Sequence, residues 1–493
     1  MLKFGTDGVR GVANAELTPE LALALGRAAV RVLGGDRYAV GRDTRRSGPL
    51  LEAALAAGLA AEGADVTLLG VVPTPEVAWW SATRGAPAAM VSASHNPFAD
   101  NGIKLFAAGG RKLADDVEQR LEAELQRVLG AGAGRVDGVG TGSGDGARVE
   151  AGSGDGGGAA TPAVPTPAGA PTPAGAPTGA GDRWTAPTGA GVGSVGAAGG
   201  THEGYAAAVT ASIEGRRLDG LTAVVDCANG SASVVAPQVL RALGVDVHVV
   251  HAAPDGTNIN DGCGSTHVDG LARTVVERGA DLGVAFDGDA DRALLVDAAG
   301  ELVDGDQVIA LCAVDRHDRG ALPGDAVVVT VMTNLGFRLA MEKHGIEVVE
   351  TAVGDRYVLE ALEARHLGLG GEQSGHVIFR DLATTGDGLL TAVQALDVVV
   401  RSGRPLADLA GVMARLPQVL RNVRVAHRDP AIVEHLAADI AAVEQRLGDT
   451  GRVLVRPSGT EPLVRVMAEA PTAAEADAAV DDLVRAVERL TRD

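Results

Sequence analysis

The sequence predicts an α/β protein of four domains, and three observations carry that expectation. At 493 residues the chain is too long for one core, since domains average roughly 150 residues. Along most of its length helix-period segments alternate with short apolar runs, the signature of βαβ units and a mainly parallel sheet. One stretch, 131–181, breaks that alternation and separates a first block from the rest.

In the first block, 1–130, helices are expected over 20–33, over the Ala/Leu-rich 49–63, and over 76–84 with Trp79 and Trp80. Strands are expected over 37–41, 64–70 and 86–91. Residues 131–181 are almost all Gly, Ala, Pro, Thr and Ser, with four valines as their only larger apolar side chains. Such a segment buries too little surface to offset the entropy of ordering, and reads as a disordered insertion. The hexapeptide at 176–181 recurs at 186–191, the mark of repeat slippage, and 182–203 reads as a linker. The second block, 204–306, carries strands over 221–226, 245–251 and 281–286, interleaved with helices over 236–243 and 271–278. The third, 307–413, has strands over 326–331 and 347–351 and helices over 338–344 and 391–401. The last, 414–493, is short, with strands over 452–456 and 463–468 flanking a polar turn between two helical segments.

Composition narrows the partners. Hydrophobic residues make up 46% of the chain and aromatics only 2%, so the cores rest on Ala, Val and Leu. The net charge of −21 argues against a nucleic acid or an anionic membrane as partner and leaves a small molecule. Cys227, Cys263 and Cys312 have no CxxC spacing and read as buried thiols of a reducing cytoplasm. The N-terminus has no apolar h-region and no apolar run approaches a membrane span, which points to a soluble cytoplasmic protein.

Chemistry concentrates in polar loops that follow apolar strands. Val91-Ser92-Ala93-Ser94-His95-Asn96-Pro97 lies at a strand's carboxyl end, where open α/β sheets place ligands, and offers Ser94 as a nucleophile or carrier of a covalent group. Asp287-Gly288-Asp289-Ala290-Asp291-Arg292 brings three carboxylates to one hard cation, with oxygen donors that favour Mg²⁺. An EF-hand fails there, because Arg292 occupies its glycine position and Ala298 its final glutamate position. Arg292 beside the metal suits an anionic oxygen. Gly371-Glu372-Gln373-Ser374-Gly375-His376 offers acceptors for sugar hydroxyls and a histidine able to move a proton, though a satisfied polar turn explains those residues as well. Arg456-Pro457-Ser458-Gly459-Thr460-Glu461-Pro462, with Arg465, offers a phosphate cradle of small residues, hydroxyls and guanidinium forks, though a tight hairpin with incidental arginines is the alternative, and no Walker loop accompanies it. Upstream, Arg10 can reach a phosphate, Arg42 and Asp43 are expected to pair, and Lys104 ends the loop after Ser94, either polarising a phosphoryl oxygen or snorkelling at a strand edge. A nucleophile, a metal loop, a sugar loop and a phosphate cradle together are what phosphoryl transfer on a phosphosugar requires.

With these four motifs in this order the chain resembles the α-D-phosphohexomutases over nearly everything except 131–181. It is most similar to the amino-sugar branch of that family, through Gln373 and the following Thr384-Thr385-Gly386-Asp387-Gly388. The resemblance implies three mixed α/β sandwich domains and a smaller C-terminal α+β domain around a central cleft. It implies Ser94 as a phosphoserine, with Mg²⁺ held by Asp287, Asp289, Asp291 and a phosphate oxygen on Ser94. His95, Lys104 and His376 then belong to the catalytic group, the last two at positions of proton transfer, with Arg10 and Arg292 flanking the reacting phosphoryl. Glu372, Gln373 and Ser374 take the sugar, and Arg456, Ser458, Gly459, Thr460 and Arg465 the non-reacting phosphate. The implied reaction interconverts glucosamine 6-phosphate and glucosamine 1-phosphate through a bisphosphate, a step toward cell-wall amino-sugar precursors. A phosphomannomutase/phosphoglucomutase of similar fold and a metal-dependent sugar-phosphate phosphatase remain as rivals. A non-catalytic sensor would need neither Ser94 nor the aspartates.

Overall fold

The computed structural model describes residues 8–132, 185–427, 429, 431–458 and 462–491. The insertion expected over 131–181 lies outside these residues from 133 onward, and its first two residues end a helix, Asp115–Gly132. Gly459 and Thr460 of the expected cradle also lie outside them.

Among the described residues, four sheets take up the alternation. The first holds β1 (Val9–Val12), β2 (Arg37–Arg42), β3 (Asp65–Val71), β4 (Ala88–Val91), β5 (Asp100–Ala107), β6 (Arg111–Lys112) and β7 (Val195–Ala197), in the order β1-β5-β4-β2-β3-β7 with β6 on β5. β2, β3, β4 and β7 run parallel, while β5 is antiparallel to β1, β4 and β6, so this sheet is mixed. Two expectations change here. Residues 101–104 do not end a loop; they lie inside β5, because pairing on both sides overrides the turn tendency of Asn-Gly. The linker expected over 182–203 contains β7, whose three exposed residues carry no alternation to read.

The second sheet has β8 (Thr222–Asp226), β9 (Asp246–Val250), β10 (Leu282–Phe286), β11 (Ala293–Asp297) and β12 (Leu302–Val303), ordered β12-β11-β10-β8-β9. The third has β13 (Ala326–Thr330), β14 (Glu347–Thr351), β15 (Leu369–Gly371) and β16 (Val377–Phe379), ordered β14-β13-β15-β16. A smaller three-stranded antiparallel sheet, β17 (Gln418–Arg424), β18 (Arg452–Pro457) and β19 (Leu463–Glu469), closes the chain, with β19 in the middle.

Helix ends follow local chemistry. Thr18 caps Pro19–Leu33, whose Pro19 needs no N–H partner, and Asp304 with Gln307 forms a capping box on Gly305–Asp318. Another capping box, Thr472 with Glu475, starts the amphipathic Ala473–Leu490, which buries Ala476, Val480, Leu483 and Val487 on the last sheet. The cores are not four separate ones. One continuous apolar cluster runs from Tyr205 to Met413 through the second and third sheets, whereas the last sheet has a cluster of its own. Cys227, Cys263 and Cys312 are buried free thiols. Among the described residues, no helix is long and apolar enough to cross a membrane.

Candidate active site

The loops that follow β4 and β10 meet. Ser94 is fully buried with φ of 52°, a left-handed conformation that turns its side chain out of the strand direction. Its Oγ donates to Asp287 Oδ2 at 2.6 Å, and His95 Nδ1 lies 3.4 Å from the same hydroxyl. Gly288 passes so close to this loop that a Cβ there would lie 2.6 Å from the Ser94 carbonyl oxygen.

The serine loop is anchored from outside by Arg45, Asp43 and Asn260. The Arg45 guanidinium, itself buried against Asp43 at 2.8 Å, donates to the carbonyls of Ser94 at 2.9 Å, Asn96 at 2.8 Å and Asp100 at 3.1 Å, and also to that of Pro97. Asp43 further accepts from Ser92 Oγ at 2.7 Å, and Ser92 Oγ accepts from the Ser94 N–H at 2.9 Å. Across the domain boundary Asn260 Nδ2 donates to Ser94 O at 2.8 Å and Asn96 O at 3.1 Å. The expected Arg42–Asp43 pair does not form. Arg42, the last residue of β2, pairs with Glu52 at 3.0 Å, while Asp43 has already left the strand and turns to Arg45.

Asp287, Asp289 and Asp291 each offer an oxygen within 4.8 Å of the others, all three buried. Asp289 Oδ2 accepts from Thr74 Oγ1 at 2.6 Å and from Lys104 Nζ at 2.8 Å, and Lys104 reaches Asp291 Oδ2 at 3.2 Å. Asp289 Oδ1 and Asp291 Oδ1 are buried without a hydrogen-bond partner, the state expected of oxygens made for a cation. Burial, then the charges of Asp291 and Asp289, push the Asp287 carboxyl well above the usual range. Burial acts the same way on Asp291, but Lys104, His376 and Arg292 outweigh it and hold that carboxyl well below. A hard divalent cation would relieve this crowding, and the oxygen-only donor set fits one. Lys104 is buried on β5, a strand paired on both sides, and does not snorkel.

The remaining expected residues fall into two groups. Arg292 Nη1 lies 3.2 Å from His95 Nδ1, and burial together with Arg292 and Arg10 lowers the His95 imidazole. His376 is buried with Nδ1 3.7 Å from Asp291 and Nε2 3.3 Å from Asp355, which also pairs with Lys112. Burial depresses His376, and Asp291 and Asp355 more than reverse it, so its ring is raised. Gly386, from the Thr384–Gly388 motif, presses flat on that ring: a Cβ there would come within 2.3 Å of Nε2. On the same β15–β16 loop, Glu372 accepts from the Gly354 N–H at 3.1 Å and from Ser374 Oγ at 3.4 Å, and Gln373 donates to Asp306 at 3.2 Å. Ser94, His95, Lys104, the three aspartates, Arg292 and His376 thus form one bonded cluster. Arg456 and Arg465 are not joined to it by a hydrogen bond or ion pair among the described residues. They face each other as cross-strand partners on β18 and β19, beside the buried Ser458.

Comparison with known proteins gives this arrangement its relatives. Four family descriptions match in series: phosphoglucomutase/phosphomannomutase alpha/beta/alpha domain I over residues 1–129, domain II over 203–300, domain III over 304–416, and the C-terminal domain over 420–486. The chain belongs to the phosphoglucomutase/phosphomannomutase family. Within that family it is 50% identical to the phosphoglucosamine mutase of Frankia alni over 96% of this chain and 95% of the relative. It is 47% identical to that of Rhodococcus opacus, with 98% of each chain covered. A crystal structure of a family member from Burkholderia thailandensis aligns with a TM-score of 0.74 at 25% identity, covering 98% of this chain and 97% of the other. The fold also matches Aspergillus fumigatus N-acetylphosphoglucosamine mutase, solved with GlcNAc-6P and magnesium, at a TM-score of 0.62 and 19% identity over 100% and 96% of the chains. In family terms, the bonded cluster joins the first three domains, and the arginine pair stands on the fourth.

Proposed function

We propose that the chain interconverts glucosamine 6-phosphate and glucosamine 1-phosphate by way of a phosphoserine at position 94, in the cytoplasm, on the route to amino-sugar precursors of the cell wall. The single observation that carries the reading is Ser94 Oγ at 2.6 Å from Asp287 in a buried aspartate triad. Support for the sugar comes from relatives called phosphoglucosamine mutase at 47–50% identity over nearly the whole chain.

In the forward direction the phosphoryl group on Ser94 passes to the O1 hydroxyl of glucosamine 6-phosphate. The O1–P bond forms, the Oγ–P bond breaks, and the proton of O1 leaves through Lys104 or His376, which return one to the serine oxygen. Glucosamine 1,6-bisphosphate turns over in the cleft, and Ser94 Oγ then takes the phosphoryl from O6, restoring the phosphoserine and releasing glucosamine 1-phosphate. Arg45 and Asn260 keep the serine carbonyl and backbone fixed through both transfers, so Oγ returns to one position. Mg²⁺ held by Asp287, Asp289 and Asp291 would neutralise charge on the transferred phosphoryl oxygens. Arg10 and Arg292 flank that group. Glu372, Gln373 and Ser374 hold the sugar, and Arg456, Ser458 and Arg465, with Gly459 and Thr460, hold the phosphate that does not react.

Phosphorus NMR of the pure protein with Mg²⁺ and glucosamine 6-phosphate tests this directly. Glucosamine 1-phosphate should appear at constant total sugar phosphate. Release of inorganic phosphate in its place would make the protein a phosphatase, and faster turnover of glucose or mannose 6-phosphate would move it to the other branch of the family.

A further inference from the structure

Gln373 is held by a carboxylate from another element. Asp306, in the first turn of helix Gly305–Asp318, is fully buried. Its Oδ2 accepts from Gln373 Nε2 at 3.2 Å and from the Asn334 N–H at 2.9 Å. The Gln373 backbone is tied to the same turn, its carbonyl accepting from the Gly305 N–H at 3.0 Å. Asn334 is itself locked: its side chain exchanges two hydrogen bonds with the Leu416 backbone, both at 3.0 Å, and caps the next helix through Gly336 N–H at 3.0 Å. The support therefore cannot swing with the loop. Burial and Asp304 push the Asp306 carboxyl up to about 7, with the Asn334 N–H opposing. Oδ2 accepts both amide protons in either state, because the proton belongs on Oδ1, which has no hydrogen-bond partner.

A glutamine amide has unlike ends, a donor and an acceptor. One Nε2 proton goes to Asp306, which fixes the amide in one orientation with Oε1 as the end turned away from that carboxylate. We infer that Asp306 is a positioning residue for substrate selection: it fixes the Gln373 amide so that the loop presents an acceptor, favouring an ammonium substituent on the sugar ring over a hydroxyl. This rests on the reading of residues 372–374 as the sugar loop. A freely turning amide serves a hydroxyl with either end, since a hydroxyl both donates and accepts. It serves an ammonium with Oε1 alone, because an ammonium only donates. Fixing the amide leaves the ammonium's mode intact and removes one of the hydroxyl's two, so selectivity is set by a residue that need not touch the sugar.

The test compares glucosamine 6-phosphate with glucose 6-phosphate on the full chain, as a ratio of dissociation constants by titration calorimetry and as a ratio of kcat/KM. Asp306→Ala should lower the preference for the amino sugar about five- to tenfold, because with the amide no longer positioned an ammonium loses a charge-assisted hydrogen bond where a hydroxyl loses a weaker neutral one. Asp306→Asn, whose Oδ1 still accepts both amide protons, should keep it within about twofold. A general loss of stability would lower binding of both sugars alike and leave the ratio unmoved. Gln373→Met is the arm to read if Asp306→Ala does not fold, and it should reproduce the same fall. An unchanged ratio in Asp306→Ala, or in Gln373→Met, overturns the inference while the mutase reading stands. Binding of neither sugar by the wild-type protein overturns both.

Discussion

The loop carrying Ser94 and the strand pair carrying Arg456 and Arg465 are built on opposite terms. Around Ser94, one buried guanidinium and one amide from the neighbouring domain satisfy the backbone carbonyls, and the hydroxyl already has a carboxylate partner. On β18 and β19, two arginines stand directly across an antiparallel ladder, and burial with the charge of Arg465 lowers the Arg456 guanidinium. Like charges directly opposite cost stability unless an anion joins them. The backbone of the serine loop is held by the protein itself; the arginine pair would be completed by an anion. The two also rest on different cores, since the last sheet has its own apolar cluster. Substitutions of the serine end's reacting groups should therefore cost chemistry and those of its buried supports stability as well, while substitutions at the arginine end should cost affinity alone.

The largest effect is expected at the serine itself. Ser94→Ala should lower mutase turnover by more than about a thousandfold, because the group that carries the phosphoryl is gone. Intact-mass analysis should show one phosphate on the wild-type chain and none on the variant, with melting behaviour little changed. Residual turnover of a few per cent would remove Ser94 from the mechanism. Next comes the metal loop. Asp289→Asn should lower Mg²⁺ affinity and turnover by more than about a hundredfold, since a neutral amide replaces a charged hard ligand. Turnover indifferent to EDTA would end the metal reading.

Much of the serine end was legible in the sequence, and its supports were not, for a topological reason. Ser94 and the three aspartates stand out because short polar loops directly follow fully apolar strands, 88–91 and 282–286. Arg45, by contrast, is one arginine among several in a polar loop 49 residues from Ser94. It meets the serine loop only because β2 and β4 are parallel neighbours, so the segments after their carboxyl ends lie side by side. That adjacency was the available signal, and strand order is not written in local periodicity. Asn260 and Thr74 reach across domains, 166 and 215 residues from their partners, with nothing local to mark them. β5 was missed because Asn101-Gly102 has the residues of a turn, and only pairing with β1 and β4 makes it strand. The arginine end was legible as a cradle, but the confrontation of Arg456 with Arg465 depends on the β18–β19 register.

Arg45→Ala sharpens the comparison from the side of stability. It leaves the Asp43 carboxylate buried without its guanidinium and takes a donor from the carbonyls of Ser94, Asn96, Pro97 and Asp100. Breaking a buried pair in this way costs about 3–5 kcal/mol. Urea unfolding should show that loss, and turnover of the folded fraction should fall because the serine backbone is no longer held. A stability change under about 1 kcal/mol would mean the carbonyls have other donors, and that the loop is not the rigid half of the molecule.

The smallest effect on the folded chain, and the one that separates the two regions most cleanly, belongs to Arg465→Gln. The substitution removes one of two facing positive charges, so unfolding free energy should stay within about 0.5 kcal/mol of wild type or rise slightly. Binding should suffer instead. A charge-assisted hydrogen bond to a phosphate is worth about 1.5–3 kcal/mol, which predicts a KM for glucosamine 6-phosphate raised by roughly ten- to a hundredfold. The phosphoserine content by intact mass should be unchanged, because Ser94 and its supports lie in other domains. If KM holds while stability drops, Arg465 is a structural part of the ladder, and the division between a serine loop held by the protein itself and an arginine pair completed by an anion is wrong.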